Sequence, residues 1–257
     1  MTPMNDPLRP VVYAYTTVFE VLSAVATACN RRHPDGTVLA VSGAPVASLN
    51  SVISPNLEPS PETIEEMAAG AGLADLPWSI KVRGIPGPRV TEMAARHGLT
   101  SSTAQPLMIR RPDAGAPLPT MNDSLRMLRV RDDELDLYVT ALAEGFGVPR
   151  EAFAMFAAPE LSKVEGITHY LAWVDGVPVG TGMAAVSGDL LGVFNIAVLP
   201  GHRRRGNGQA ITTEIVRAGH EVGAATAYLY SSMMGEHVYS SAGFRVAEML
   251  TTFTAPT

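Results

Sequence analysis

A single cysteine, Cys29, stands among 257 residues. One thiol cannot close an intramolecular disulfide or supply a multi-thiolate zinc site, and it suits a reducing cytoplasm, the expected location. Charge is scarce too. Asp, Glu, Lys and Arg make up 17% of the chain, and a net charge of -6 with a pI near 5.5 leaves no global basic field for nucleic acid or an anionic membrane. Neither is expected as a partner, and any anion site has to be local. No metal site is expected. The uncharged run from Gly36 to Leu57 reaches membrane-spanning length, but Pro45, Asn50, Pro55 and Asn56 break it into strands and turns. The start, Met1 to Pro7, lacks the cationic-then-apolar order of a secretory signal, so none is expected there. What is plentiful is apolar material, 46%, together with 23 Gly and 20 Pro, which excludes disorder and implies a turn-rich globular chain.

The pattern along the chain alternates. Val18, Leu22, Val25 and Cys29 fall on one face of a helix expected from Thr16 to Arg32, with the thiol as a small buried apolar group. Strands are expected near Thr37–Ser42 and Val46–Ile53. Ser60-Pro61-Glu62 opens a helix with a cap, a proline at the first position and acidic residues at the positive dipole end. Trp78–Arg83 reads as a strand, Val90–His97 as a helix and Pro106–Arg110 as a strand. The proline-rich segment 112–120 is the expected linker between a smaller α/β domain, residues 1–111, and a second domain, residues 121–257.

In that second half, Ser124–Val130 reads as a strand, Asp132–Glu144 as a helix with Leu135, Val139 and Leu142 inward, and Arg150–Ala157 as a further helical piece. Strands at His169–Val174 and Val177–Val186 flank Asp175-Gly176, a hairpin dipeptide. A strand Leu190–Val198, a helix Gln209–Val222 with Ile211, Ile215, Ala218 and Val222 inward, and a strand Ala225–Ser231 form a parallel crossover.

Between that strand and helix lies Pro200-Gly201-His202-Arg203-Arg204-Arg205-Gly206-Asn207-Gly208-Gln209. A glycine-rich turn running into a helix offers free backbone N–H groups beside the positive end of the helix dipole, a ready pyrophosphate site. Gly206 and Gly208 allow close backbone approach. Taken alone, the segment also fits an ordinary solvated loop.

The run Val198 to Gly208 resembles the acetyl-CoA loop of the GCN5-related N-acetyltransferases (GNAT), Gln/Arg-x-x-Gly-x-Gly/Ala, with Arg203, Gly206 and Gly208 at the fixed positions. Ser232 to Phe244 is similar to that family's late helix ending in Tyr-x-x-x-Gly-Phe. The resemblance covers about residues 124–254. It implies an α/β (α+β) GNAT fold, a mixed, mostly antiparallel sheet flanked by helices, behind the smaller α/β domain. It also implies an acyltransferase moving an acetyl group from acetyl-CoA to a primary amine, a small molecule in preference to a protein lysine, by direct attack in a ternary complex. The backbone of Ile196, Ala197 and Val198 would bond the pantetheine and the thioester carbonyl. The segment Arg203, Arg204, Arg205, Gly206, Asn207, Gly208 and Gln209 would hold the pyrophosphate, chiefly through amides. Tyr239 would protonate the departing thiolate, and Ser232 stands where many relatives have a cofactor-contacting asparagine.

The general base is left open. Many relatives carry a glutamate on the strand before the loop, and Gly192 occupies that place. Asn195 could orient a water or make a structural bond at a bulge, and His169, Asp189, Glu144 and Glu236 are further candidates. His202 lies in the anion loop; His220, near a helix end, would suit the dipole as a cation. Met233-Met234 fits packing near the cofactor tail better than a soft metal site. The order of elements in residues 16–111 resembles a degenerate copy of the same fold without the arginine-glycine loop. The rivals are a non-catalytic acyl-CoA sensor, an acidic-partner surface at the arginine loop, and a protein lysine or N-terminal acetyltransferase. Oligomeric state is open, with a homodimer among the options.

Overall fold

A computed structural model describes residues 6–256 apart from 28, 70, 71, 74, 112–123 and 234. The expected linker, 112–120, lies outside the described residues. In chain order the helices are α1 (Arg9–Ala26), α2 (Pro61–Ala69), α3 (Pro88–Arg96), α4 (Leu135–Phe146), α5 (Pro159–Ser162), α6 (Asn207–Glu221) and α7 (Glu236–Ser241). The strands are β1 (Cys29–Arg32), β2 (Val38–Val41), β3 (Asn50–Ser54), β4 (Ser79–Arg83), β5 (Ser101–Arg110) and β6 (Leu125–Arg129), then β7 (Ile167–Val174), β8 (Val177–Ser187), β9 (Leu190–Val198), β10 (Thr226–Tyr230) and β11 (Arg245–Thr254). The chain forms two compact units, residues 1–105 with 248–257, and residues 106–247.

In the first unit β1, β2, β3, β4 and the end of β11 lie side by side, antiparallel except for the parallel β3–β4 pair. One face packs Val52, Ile80 and Val82 against Ile64 and Met67 of α2 and Met93 of α3. Alternation turns Lys81 to the other face, where its ammonium lies 4.1 Å from the Phe19 ring centre and donates to the Ser48 carbonyl. Burial lowers its pKa to about 7. Arg83, also buried, binds both Asp6 and Glu248, so that its charge is matched.

Two expectations here need correction. The helix expected from Thr16 to Arg32 begins and ends earlier. Val18 and Leu22 do face inward, but Thr27 accepts the Cys29 amide and donates to the Val41 carbonyl, turning the chain so that Cys29 opens β1 opposite Val41, half-buried. The strand expected over Val46–Ile53 starts with a 3-10 turn at Ala47–Leu49, because the buried Asn50 amide gathers Ser42, Gly43, Ala44 and Pro77 around it.

In the second unit the order is β5, β10, β9, β8, β7, β6, with β9–β10 the parallel crossover and the β7–β10 neighbours otherwise antiparallel. Asp175 and Gly176, both at positive φ, close the β7–β8 hairpin. Helix α6 lays Ile211 and Ile215, both fully buried, onto the sheet face of Tyr170, Ala184, Leu191 and Val193. Each such isoleucine contributes about 2 kcal/mol by burial. Val222 was expected on this inner face but is 59% exposed, since the helix ends at Glu221 and Val216 and Gly219 complete the buried stripe. Helix α4 covers the opposite face, on which alternation puts His169 and Met183.

Candidate active site

Strand β9 makes the site by departing from regular pairing twice. Thr181 of β8 pairs with Ala197 and Met183 with Phe194, so Asn195 and Ile196 together face Gly182 alone: a β-bulge, with Asn195 at φ 53°. On its other edge β9 pairs with β10 only at Leu190, Leu191 and Gly192, and beyond Gly192 the two strands part. The bulge is held from both sides. Thr181 Oγ1 donates to the Asn195 carbonyl over 2.9 Å, and Asn195 Nδ2 donates to the fully buried Tyr138 phenol over 3.1 Å. Of the two readings of Asn195, this geometry shows the structural bond.

After β9 comes a 3-10 turn, Pro200–His202, then Arg204 at φ 59° and Gly206 at φ 77°. The left-handed conformation explains glycine at 206. The side chains of this segment turn inward where they are bonded. Arg203 donates to the carbonyls of Val198 (3.1 Å) and Gly145 (2.8 Å), Asn207 to that of His202 (2.9 Å), and Gln209 to that of Ser241 (3.1 Å). These bonds tie the loop to β9, α4 and α7. Arg204 and Arg205 stay exposed, and the amides from Arg204 to Gln209 have no hydrogen-bond partner among the described residues. Helix α6 has neither a side-chain cap nor an acidic residue in its first turn. A run of open amides at a positive helix end is an anion cradle.

Tyr239 on α7 sits half-buried with its ring edge-on to Phe244, centres 6.3 Å apart, and burial raises its pKa to about 12. It is therefore a protonated donor at neutral pH. Ser232 is exposed and accepts the amide of Gly235, just before α7, over 3.1 Å. Met233 is exposed, and Met234 lies outside the described residues.

Gly192, where the resemblance implied a glutamate in other members, is closed in by packing. A Cβ on Gly192 would fall 2.4 Å from Phe194 Cε2 and 2.8 Å from the Tyr228 hydroxyl. His169 lies 3% exposed between Tyr138 and Phe156, ring centres 4.8 and 5.9 Å away, and burial lowers its pKa to about 4. It is a neutral core residue at pH 7. His220 is likewise held away from the cationic form that its helix position suggested, first by burial and then by Arg110. Asp189, Glu144 and Glu236 are not drawn to the bulge by any hydrogen bond among the described residues. Sequence reasoning passed over Tyr138, Thr181 and Tyr228. Tyr138 was within reach, being three residues after Leu135 and four before Leu142 on the same inner stripe.

A splayed parallel pair, a bulge and an uncapped helix end thus lie at one end of β9 and the start of α6. Residues 165–246 match the family model of the acetyltransferase (GNAT) domain, which supports an acyltransferase. The fold is shared with a GCN5-related N-acetyltransferase from Kribbella flavida (19% identity, 98% of this chain and 96% of that one, TM-score 0.70). It is shared too with a functionally unknown conserved protein from Staphylococcus epidermidis (13% identity, 87% and 92%, TM-score 0.62) and a GCN5-related N-acetyltransferase from Sphaerobacter thermophilus (18% identity, 76% and 65%, TM-score 0.54). No curated protein matches the sequence.

Proposed function

We propose that the chain transfers an acetyl group from acetyl-CoA to a primary amine of a small molecule by direct attack in a ternary complex. The observation that carries this reading is the unpartnered run of amides from Arg204 to Gln209 at the start of α6. Those amides would take the pyrophosphate, with Arg204 and Arg205 adding charge. The freed edge of β9 at Ile196, Ala197 and Val198 would bond the pantetheine amides. Acetyl-CoA supplies the acetyl group as a thioester. The Ile196 N–H, fixed by the bulge, would donate to the oxygen on which charge develops. The amine nitrogen bonds to the carbonyl carbon, the carbon–sulfur bond breaks, and Tyr239 gives its proton to sulfur. The proton lost by the amine leaves through water, since Gly192 offers no carboxylate. The first unit, read as an accessory or degenerate GNAT-like domain, would serve acceptor binding or assembly.

Calorimetry tests the site. One acetyl-CoA per chain is expected, and Gly206→Asp should abolish binding, because its carboxylate enters the phosphate's space; nothing lies within 4 Å of the new Cβ, and Gly206→Asn, with the same left-handed backbone and no charge, is the control for strain. Unchanged affinity in the folded variant overturns the assignment. The non-catalytic sensor predicts binding without turnover over an amine panel.

A further inference from the structure

A cavity of about 480 Å3 opens on the α6 side of the second unit, among the last turns of that helix and the strands β7 and β8. Its volume is in the range of about 300–1,000 Å3 typical of small-ligand sites. It is separate from the anion cradle: Ala218 and Val222, which line it, are about 20 Å along the helix from Asn207 at a rise of about 1.5 Å per residue.

Its polar groups are unspent. Tyr170 is only 7% exposed, yet its hydroxyl has no hydrogen-bond partner among the described residues, whereas the phenol of Tyr138 receives one from Asn195. That hydroxyl is not sealed from solvent, and the cavity that Tyr170 lines is where a ligand atom can meet it. Arg129 and Glu165 also line the cavity, and neither makes an ion pair or a side-chain hydrogen bond among the described residues.

Register sorts these charges to opposite ends. Arg129 pairs with Tyr170 across β6 and β7, so guanidinium and phenol share one end. Glu165 precedes Gly166, whose carbonyl accepts the Val186 amide. The following β8–β9 turn carries Asp189, whose carbonyl accepts the amides of Ala225 and Thr226 just past α6. The carboxylate thus shares the other end with the negative terminus of the helix. Between them lie Thr168 and the apolar side chains of Ala184, Val186, Ala218 and the otherwise exposed Val222.

We propose that this cavity is a second binding site, for a small zwitterion with an apolar body, from an α-amino acid to a dipeptide in size. Its carboxylate would meet Arg129 and the Tyr170 hydroxyl, its ammonium Glu165 and the end of α6. The assignment is independent of the acetyl-transfer reading and is tested without acetyl-CoA. Saturation-transfer NMR on the full chain, with the twenty protein amino acids and leucyl-leucine at millimolar concentration, should reveal at least one binder. Calorimetry with that binder should show a loss of about tenfold or more in Arg129→Gln and in Glu165→Gln, exposed positions where folding is not at risk. Ala218→Phe, which fills the cavity, should abolish binding, and Gly206→Asp should leave it intact. The site is overturned if no probe binds, or if binding survives Ala218→Phe. Loss confined to one of the two charge variants overturns the zwitterion assignment.

Discussion

Removing a single oxygen from the interior should slow chemistry without loosening the cofactor. Tyr138→Phe deletes the phenol that accepts from Asn195 Nδ2 over 3.1 Å, leaving that amide only the Met183 sulfur at 3.8 Å. The lost neutral hydrogen bond is worth about 1 kcal/mol, and the stranded donor raises the cost to about 1–3 kcal/mol. Most of that falls on Asn195, which already sits at φ 53° and orients the neighbouring Ile196 amide. A shift of reacting groups by about 1 Å can cost about 10²-fold, so a fall in kcat of about 10- to 10²-fold is expected. Acetyl-CoA affinity, carried mainly by the loop before α6, should change by less than about threefold. Asn195→Gly removes the same bond while keeping the left-handed backbone accessible, and should give a similar loss. The double variant should be no slower than the slower single, since both act through one contact. Single-turnover kinetics and calorimetry on the four proteins provide the cycle. Multiplying losses, or an unchanged kcat with chemistry rate-limiting, would refute the view that Tyr138 acts through the bulge.

Three other outcomes follow from the same geometry. Tyr239→Phe should lower kcat by about 10²-fold with acetyl-CoA affinity retained, and because the phenol stays protonated to about pH 12, no loss of rate from its ionisation is expected below about pH 11; a wild-type single-turnover rate would make the residue structural. Gly192→Glu should not install a working base, since its Cβ meets Phe194 and Tyr228; it should cost about 1–3 kcal/mol in urea denaturation, and a stable, faster variant contradicts this. His169 has a folded pKa of about 4 against about 6.5 unfolded, so the unfolded chain binds more protons between those values and stability is lost as pH falls through that window, by roughly 3 kcal/mol in all. His169→Phe should flatten the decline between pH 6.5 and about 4, and an unaltered pH dependence counts against a buried neutral imidazole.

Local signals were legible where one short-range rule decides the outcome. Asp175-Gly176 specified the hairpin, and Leu190–Val198 was read to the residue, its apolar run closed by the glycine-rich loop. The rule failed at Cys29, where an apolar i, i+4 step continues the helical pattern but Thr27 binds Val41, distant in sequence, and redirects the backbone. It failed again at Val222, because periodicity says which face a residue shares but not that the helix has already ended. In the site, the loop motif was visible, but the direction of its side chains was not. Arg203 reads as an anion ligand in one dimension, whereas in the fold its guanidinium is consumed by two backbone carbonyls. Tyr138 and Thr181 belong to elements far from the motif, and only the bulge gives them a role.

Among the described residues there are two parallel crossovers of the same order, and their helix ends differ in electrostatics. In the first unit, β3, α2 and β4 repeat the sequence of strand, helix and strand, with pairs from Ser51–Ser79 to Ser54–Val82. Between β3 and α2 the chain reads Pro55-Asn56-Leu57-Glu58-Pro59-Ser60, without glycine. There Ser60 accepts the Thr63 amide over 3.1 Å, and Glu62 stands in the first turn, so the positive end is already capped and matched by a carboxylate. An incoming phosphate would meet a bonded amide and a like charge. At α6 the same helix end has no side-chain cap and no acid in its first turn, and the strand pair beside it parts after Gly192 where β3 and β4 stay paired. Topology alone would allow an open helix end in both crossovers; among the described residues capping and charge leave open only the one at Arg204 to Gln209.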